Sequence, residues 1–205
     1  MSKLKIMTVR FGCLAAIVTF TLSVLGLSPC TRLLAQEGAS TSTSKTSPAP
    51  VKLEAYELGN TERVHRFGNI VLAGQPDQAM FAKLKQHGIT TVLSLRETIE
   101  LDWDEKQVAE AAGLRFVQLP IQGPDDLTPK MLEESLALMR AAKEDNGVLV
   151  HCAVAGRVGP VWMAYRVMED NLSVEEARNE AKQVGMRASV LEAKVIEYLK
   201  AEGKE

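Results

Sequence analysis

The chain has 205 residues, 24 Lys+Arg against 26 Asp+Glu, a formal net charge of −2 and 46% hydrophobic side chains. With no basic surplus, nothing points to nucleic acid or an anionic membrane surface as a partner. Of the three cysteines, Cys13 and Cys30 fall near the N-terminus, so a disulfide framework is excluded and Cys152 stands as the single thiol of the remainder.

Residues 1–35 read as a signal peptide or N-terminal anchor. Lys3, Lys5 and Arg10 form a basic start, Phe11 to Leu27 an uncharged and mostly apolar run, and Ala35 a small residue before Gln36. The chain is therefore expected to be exported, periplasmic or secreted, with membrane attachment through this segment alone. Residues 36–50 are nearly all Ser, Thr, Ala, Pro and Gly, a composition too polar to offset ordering entropy, and read as a linker. Residues 51–205 carry 19 Lys+Arg against 25 Asp+Glu and are long enough for one domain with its own core.

Within that domain Ile70 to Ala73 predicts a short strand, and Asp77 to His87 a helix capped by Asp77 with Met80, Phe81 and Leu84 on one face. Thr91 to Leu95 is a β-branched, apolar strand. Asp104 to Ala112 is helical, Arg115 to Leu119 a strand, and Thr128-Pro129 opens a long amphipathic helix that turns Met131, Leu132, Leu136 and Met139 inward. Val148 to Val150 reads as the central strand, followed by a helix from about Val161 to Met168. Ser173-Val174-Glu175-Glu176 is a capping box, and Ala188 to Ala201 is the last helix. Strands alternating with helices at this spacing predict a single three-layer α/β domain with a mainly parallel sheet. Ligands in such sheets bind beyond the carboxyl ends of the strands. That edge carries Arg96 and Glu97, the Pro120 to Asp126 loop, and His151-Cys152.

The chemistry concentrates in His151-Cys152-Ala153-Val154-Ala155-Gly156-Arg157-Val158-Gly159. A loop between a strand and a helix N-terminus aims successive N–H groups at one point and adds the positive end of the helix dipole. Such a nest holds a tetrahedral oxyanion and favours the thiolate of a cysteine at its floor. An arginine there grips two oxygens of the anion at once. Cysteine, small loop, arginine and helix make a site for attack on phosphorus or sulfur. No Gly-x-Gly-x-x-Gly follows a strand and no metal-ligand spacing occurs, so neither cofactor nor metal is expected.

These residues resemble the cysteine-dependent phosphatases of the protein-tyrosine and dual-specificity type, whose signature is His-Cys-x5-Arg-(Ser/Thr)-Gly. Here four residues separate Cys152 from Arg157, and Val158 stands where the family carries a hydroxyl. From Asn69 to about Leu199 the chain is similar to the bacterial branch known from beta-lactamase-hydrolase-like proteins: Gly74-Gln75-Pro76, Leu95-Arg96, the Ala111 to Arg115 run, and the Cys-x4-Arg loop. The resemblance implies a protein-tyrosine-phosphatase-like fold and hydrolysis of phosphomonoesters on protein or small molecule. Cys152 would be the nucleophile, forming a thiophosphate ester. Ala153, Val154, Ala155, Gly156 and Arg157 would bind phosphate, and His151 would tune the thiolate. Asp126 would be the general acid, with Asp125, Asp102 and Asp104 as the other candidates. Without a hydroxyl at Val158, slow turnover is expected. Two alternatives stand beside this reading: a rhodanese-like sulfurtransferase using a Cys152 persulfide, and a non-catalytic oxyanion-binding module. Because Ala153-Val154-Ala155 carries no cation, a substrate with a single phosphate is expected.

Overall fold

Short runs of Val, Ile and Leu fold into strands that are apolar on both faces, and each face is covered by helices. The protein is described by a computed structural model that covers residues 51–187 and 189–204; the segments read as targeting sequence and linker lie outside the described residues. The strands are β1 (Glu54–Ala55), β2 (His65–Phe67), β3 (Ile70–Ala73), β4 (Ile89–Ser94), β5 (Arg115–Gln118) and β6 (Gly147–His151). They form one sheet in the order β1-β2-β3-β6-β4-β5. β3, β6, β4 and β5 run parallel, while β1-β2-β3 is an antiparallel meander at one edge. The mainly parallel α/β reading is correct. The meander escaped the sequence because strands of two and three residues are too short to show a period.

Alternation along each strand divides the core in two. Ile70, Leu72, Leu93, Val148 and Val150 face α3 (Pro129–Arg140), α4 (Val158–Asp170), α5 (Val174–Val184) and α6 (Ser189–Ala201). Val71, Ala73, Val92 and Leu149 face the other layer, with Met80 and Phe81 of α1 (Gln78–Phe81) and Ala109 of α2 (Glu105–Ala111).

The helix starts follow their caps. Asp77 Oδ1 accepts from Met80 N (2.8 Å), Asp104 Oδ1 from Gln107 N (2.9 Å) and Thr128 Oγ1 from Met131 N (3.2 Å). Ser173 and Glu176 form the reciprocal box expected of them. The single helix expected over Asp77 to His87 is two pieces, α1 and a 3₁₀ turn over Leu84–His87. Between and within the two pieces the bonds close over three residues, Lys83 N donating to Met80 O and Gln86 N to Lys83 O, so no α-helical ladder runs through the stretch.

What matters for function is the register. Ala73 and Ser94 lie opposite His151 on either side, so β3, β6 and β4 end level. Gly74, Cys152 and Leu95 leave the sheet side by side at its carboxyl edge.

Candidate active site

Cys152 sits at the end of β6, 1% exposed, and the chain turns over it before entering α4. Cys152 N donates to Ala73 O (3.4 Å), and Gln75 N donates to Ala153 O (3.0 Å), so the loop is pinned to the strand beside it. The N–H groups of Ala153 and Gly156 have no acceptor among the described residues. Unpaired donors in successive turns at a helix start are what an oxyanion requires. Ala155 adopts φ 62°, a left-handed conformation that strains a residue with a Cβ. Its fully buried methyl packs against Gly185, where a Cβ would approach Ala155 Cβ, C and O at 3.2 Å. The strain and the close approach fix the curvature of the loop.

Arg157 closes the loop. Its Nη1 donates to Glu100 Oε1 (2.7 Å) and to Ile121 O (3.1 Å), and its Nη2 donates to Glu100 Oε2 (2.6 Å). Glu100 holds the guanidinium above its ordinary pKa, with a smaller contribution from Cys152 nearby. In return the bond from Arg157 pulls the Glu100 carboxyl down to about 2 against its own desolvation. Glu100 lies in a 3₁₀ turn over Thr98–Glu100 after β4, and its Oε1 also accepts from Glu97 N (2.9 Å).

Behind this pair runs a polar chain. Arg96 donates to Glu100 O (2.6 Å) and Gln75 Oε1 (2.8 Å). Gln75 Nε2 donates to Glu105 Oε1 (2.6 Å), and Ser94 Oγ donates to Glu105 Oε2 (2.8 Å). His151 is fully buried, with Nε2 3.3 Å from Glu105 Oε1 but out of line for a hydrogen bond. Burial pushes its pKa down, opposed by the Glu105 charge and a backbone bond at Cys152, so the ring is held neutral. Arg96 is thus a brace between the loops rather than a free surface cation.

The cleft over Cys152 measures about 320 Å³ and is lined by Ala153, Val154, Gly156, Arg157 and Leu191, with Arg63 and Arg187. The structure brings together Cys152, Arg157 and the loop as the sequence predicts. It does not bring the aspartates. Asp126 Oδ2 accepts from Gln122 N (2.7 Å) and Gly123 N (3.0 Å), bonds that lower its pKa and commit the carboxylate to closing its own loop. A general acid needs a proton at working pH and an oxygen facing the substrate; Asp126 does not line the Cys152 cleft, and its Oδ2 caps its own loop. Asp125 lines a separate cleft beside Lys194 and Tyr198, Asp104 caps α2, and neither Asp102 nor any other of the four borders the Cys152 cleft. Sequence reasoning missed Glu100, Arg63 and Arg187. Glu100 stands three residues beyond Glu97 at the predicted ligand edge, the one signal that could have found it.

A cysteine–arginine loop on the carboxyl edge of a parallel sheet defines the class of protein-tyrosine-phosphatase-like α/β proteins. Residues 71–171 match the family described as "Polymorphic toxin system, DSP-PTPase phosphatase", which places that region in the cysteine-based, dual-specificity-like phosphatase superfamily. Solved structures share its fold. Tk-PTP in the active form is 24% identical, with 65% of this chain and 92% of that chain covered and a TM-score of 0.56. TpbA of P. aeruginosa is 19% identical over 77% of this chain and 96% of its own, with a TM-score of 0.58. The core catalytic domain of the PP-IP phosphatase SIW14 of S. cerevisiae is 19% identical over 72% and 92%, with a TM-score of 0.56. No curated protein matches the chain in sequence.

Proposed function

We propose that this protein is an exported phosphatase that hydrolyses phosphomonoesters through a covalent thiophosphate on Cys152. The observation that carries the reading is the loop itself: Cys152, Ala153, Val154, Gly156 and the Arg157 guanidinium line one cleft where the chain enters α4. In the first step the Cys152 thiolate attacks phosphorus, the S–P bond forms and the P–O bond to the alcohol breaks, the departing oxygen taking a proton from solvent. In the second, water attacks phosphorus and the S–P bond breaks, releasing inorganic phosphate and the thiolate. The loop donors and Arg157 stabilise the charge that spreads over the equatorial oxygens in both steps. P. aeruginosa TpbA has been crystallised with pTyr and PTPMT1 with PI(5)P, both phosphomonoesters, which supports the same substrate class here. Export rests on the basic start and apolar run of the N-terminal segment; among the described residues no helix is long and apolar enough to cross a membrane.

The test is a paired assay on the purified full chain. Phosphate release from an aryl phosphate, abolished in Cys152→Ser, is expected. Sulfur transfer from thiosulfate to cyanide without phosphate release would overturn the reading in favour of a persulfide chemistry. Cell fractionation checks export, and recovery in the cytosol with an intact N-terminus would refute it.

A further inference from the structure

The anion loop carries no lysine or arginine besides Arg157, yet the cleft above it holds two more guanidinium groups. Arg63 comes from the turn before β2 and Arg187 from the turn between α5 and α6. Neither has an ion-pair or hydrogen-bond partner for its side chain among the described residues, and no carboxylate lines the cleft. Every other arginine around the site is committed: Arg157 to Glu100, and Arg96 to Glu100 and Gln75.

Both free arginines ride on segments docked directly on the anion loop. Gly74 N donates to Glu62 O (2.9 Å), and Gly74 bridges Val154. A Cβ at Gly74 would meet Glu62 O at 3.0 Å and Ala153 O at 3.1 Å, so the absent side chain is what lets the turn bearing Arg63 touch the loop. Arg63 itself has φ 53°, a strained conformation for a residue with a Cβ. On the opposite side Gly185 lies against Ala155, and Arg187 follows two residues later. The two cations are therefore placed relative to Cys152 by backbone contacts. Val154, 53% exposed, and Leu191 supply an apolar wall between the polar ends. A cleft of about 320 Å³ falls at the lower end of small-molecule sites, roughly 300–1,000 Å³, and has room beyond one phosphoryl group.

We infer that Arg63 and Arg187 form a second anion subsite, and that the substrate is a phosphomonoester carrying a second anionic group on a compact apolar spacer. This deepens the phosphatase reading and rests on it for the phosphoryl end alone. It also extends the expectation of a substrate with a single phosphate, because the extra cations arrive from outside the loop, where the local sequence could not show them. Arginine suits such a subsite because its planar fork takes a phosphate or a carboxylate in two hydrogen bonds.

The experiment measures binding to the Cys152→Ser full chain by calorimetry, using phenyl phosphate, carboxyphenyl phosphate and phenylene bisphosphate. The expected result is roughly tenfold tighter binding of a probe with two anionic groups than of phenyl phosphate, the worth of a charge-assisted contact. The ratio should fall toward one when Arg63→Gln and Arg187→Gln are combined. A gain for the bisphosphate alone identifies the second group as a phosphate; a gain for both admits a carboxylate. Arg115→Gln, which removes a cation at the amino end of edge strand β5, should leave the ratio unchanged, and thermal melting checks the fold of each variant. Equal affinity for all three probes, or a preference that survives the double substitution, would overturn the subsite. An arginine-dependent preference in a protein that releases no phosphate would support the subsite while refuting the phosphatase reading.

Discussion

Glu100 and Arg157 meet through two parallel hydrogen bonds of 2.7 and 2.6 Å, although 57 residues separate them in the chain. The carboxylate comes from the turn after β4 and the guanidinium from the start of α4, so the pair ties two loops that the sheet edge merely brings near. A guanidinium held on one side by a carboxylate is already ordered, which spares a site the entropy of ordering a long side chain when an anion binds. Glu100 is the residue that fixes the Arg157 guanidinium at the cleft.

Arg157→Lys should lose most activity while the protein stays folded. An ammonium is a point charge and cannot hold Glu100, Ile121 O and a phosphoryl oxygen in one plane. The expected fall in kcat/KM for an aryl phosphate is at least roughly a hundredfold, about the loss seen when a preorganised oxyanion donor is removed. Wild-type-like kinetics would show that Arg157 does not hold the anion.

Glu100→Gln should act through Arg157. Removing the charge and one acceptor leaves the guanidinium free to swing, with an expected loss in kcat/KM on the order of tenfold. The pH dependence separates this role from acid–base work. Because the folded carboxyl lies near 2, below its ordinary 4.5, the pair is complete above about 4.5 and is lost only as pH falls toward 2. Any acid limb of the rate profile between pH 5 and 7 should therefore persist in Glu100→Gln; its disappearance would assign Glu100 a proton-transfer role.

The difference between what the chain discloses and what it withholds follows from the range of the forces involved. β3, β4 and β6 were legible because burial on both faces demands continuous apolar runs, and the helix starts because Asp77, Asp104, Thr128 and Ser173 act within one turn. The loop from Cys152 to Arg157 was legible because its residues are consecutive in the chain. Glu100, Arg63 and Arg187 were not, because each reaches the cleft on a separate turn whose position depends on strand order and on the close approaches at Gly74 and Gly185. Asp126 stands away from the cleft lining for the converse reason. It lies on the right loop, but whether a carboxylate faces substrate or its own backbone is decided by turn geometry over four residues, and here Gln122 N and Gly123 N claim it.

Asp126→Asn accordingly tests a loop cap. It should lower the melting temperature and slow the burst phase by the same factor for substrates with acidic and with poorly acidic leaving alcohols. A general acid would give a different pattern, slowing only the poorly acidic alcohols, which cannot depart without a proton. Selective slowing would restore Asp126 to the catalytic machinery.

His151 predicts a stability that falls in mild acid. Its folded pKa lies below the ordinary 6.5 because burial disfavours the imidazolium, with Glu105 opposing that shift and Arg96 and Arg157 adding to it. The unfolded chain therefore takes up a proton near 6.5 that the folded chain refuses. The neutral ring's contribution is complete above that value and is lost as pH falls from there toward the folded pKa, with a slope approaching ~1.4 kcal/mol per pH unit for one proton. Chemical denaturation at a series of pH values should show this slope, reduced in His151→Asn. His65, also lowered by burial, remains in both proteins and cancels from the comparison.

Val158→Thr tests the missing hydroxyl. Val158 opens α4 directly after Arg157, fully buried and packed into the core beneath the loop. If breakdown of the thiophosphate limits turnover, the wild-type protein should show a burst of alcohol release followed by a slow steady phase. A threonine hydroxyl bonding to the departing Cys152 sulfur should speed the slow phase and leave the burst rate unchanged, since it acts only as the S–P bond breaks. The same substitution places a polar group in an apolar site, so a loss of about 1–3 kcal/mol in stability is expected if the hydroxyl finds no partner. The two measurements constrain each other: faster turnover with little loss of stability means that the hydroxyl reaches the sulfur, whereas lost stability with unchanged turnover means that it is buried unpaired and that another step limits the rate.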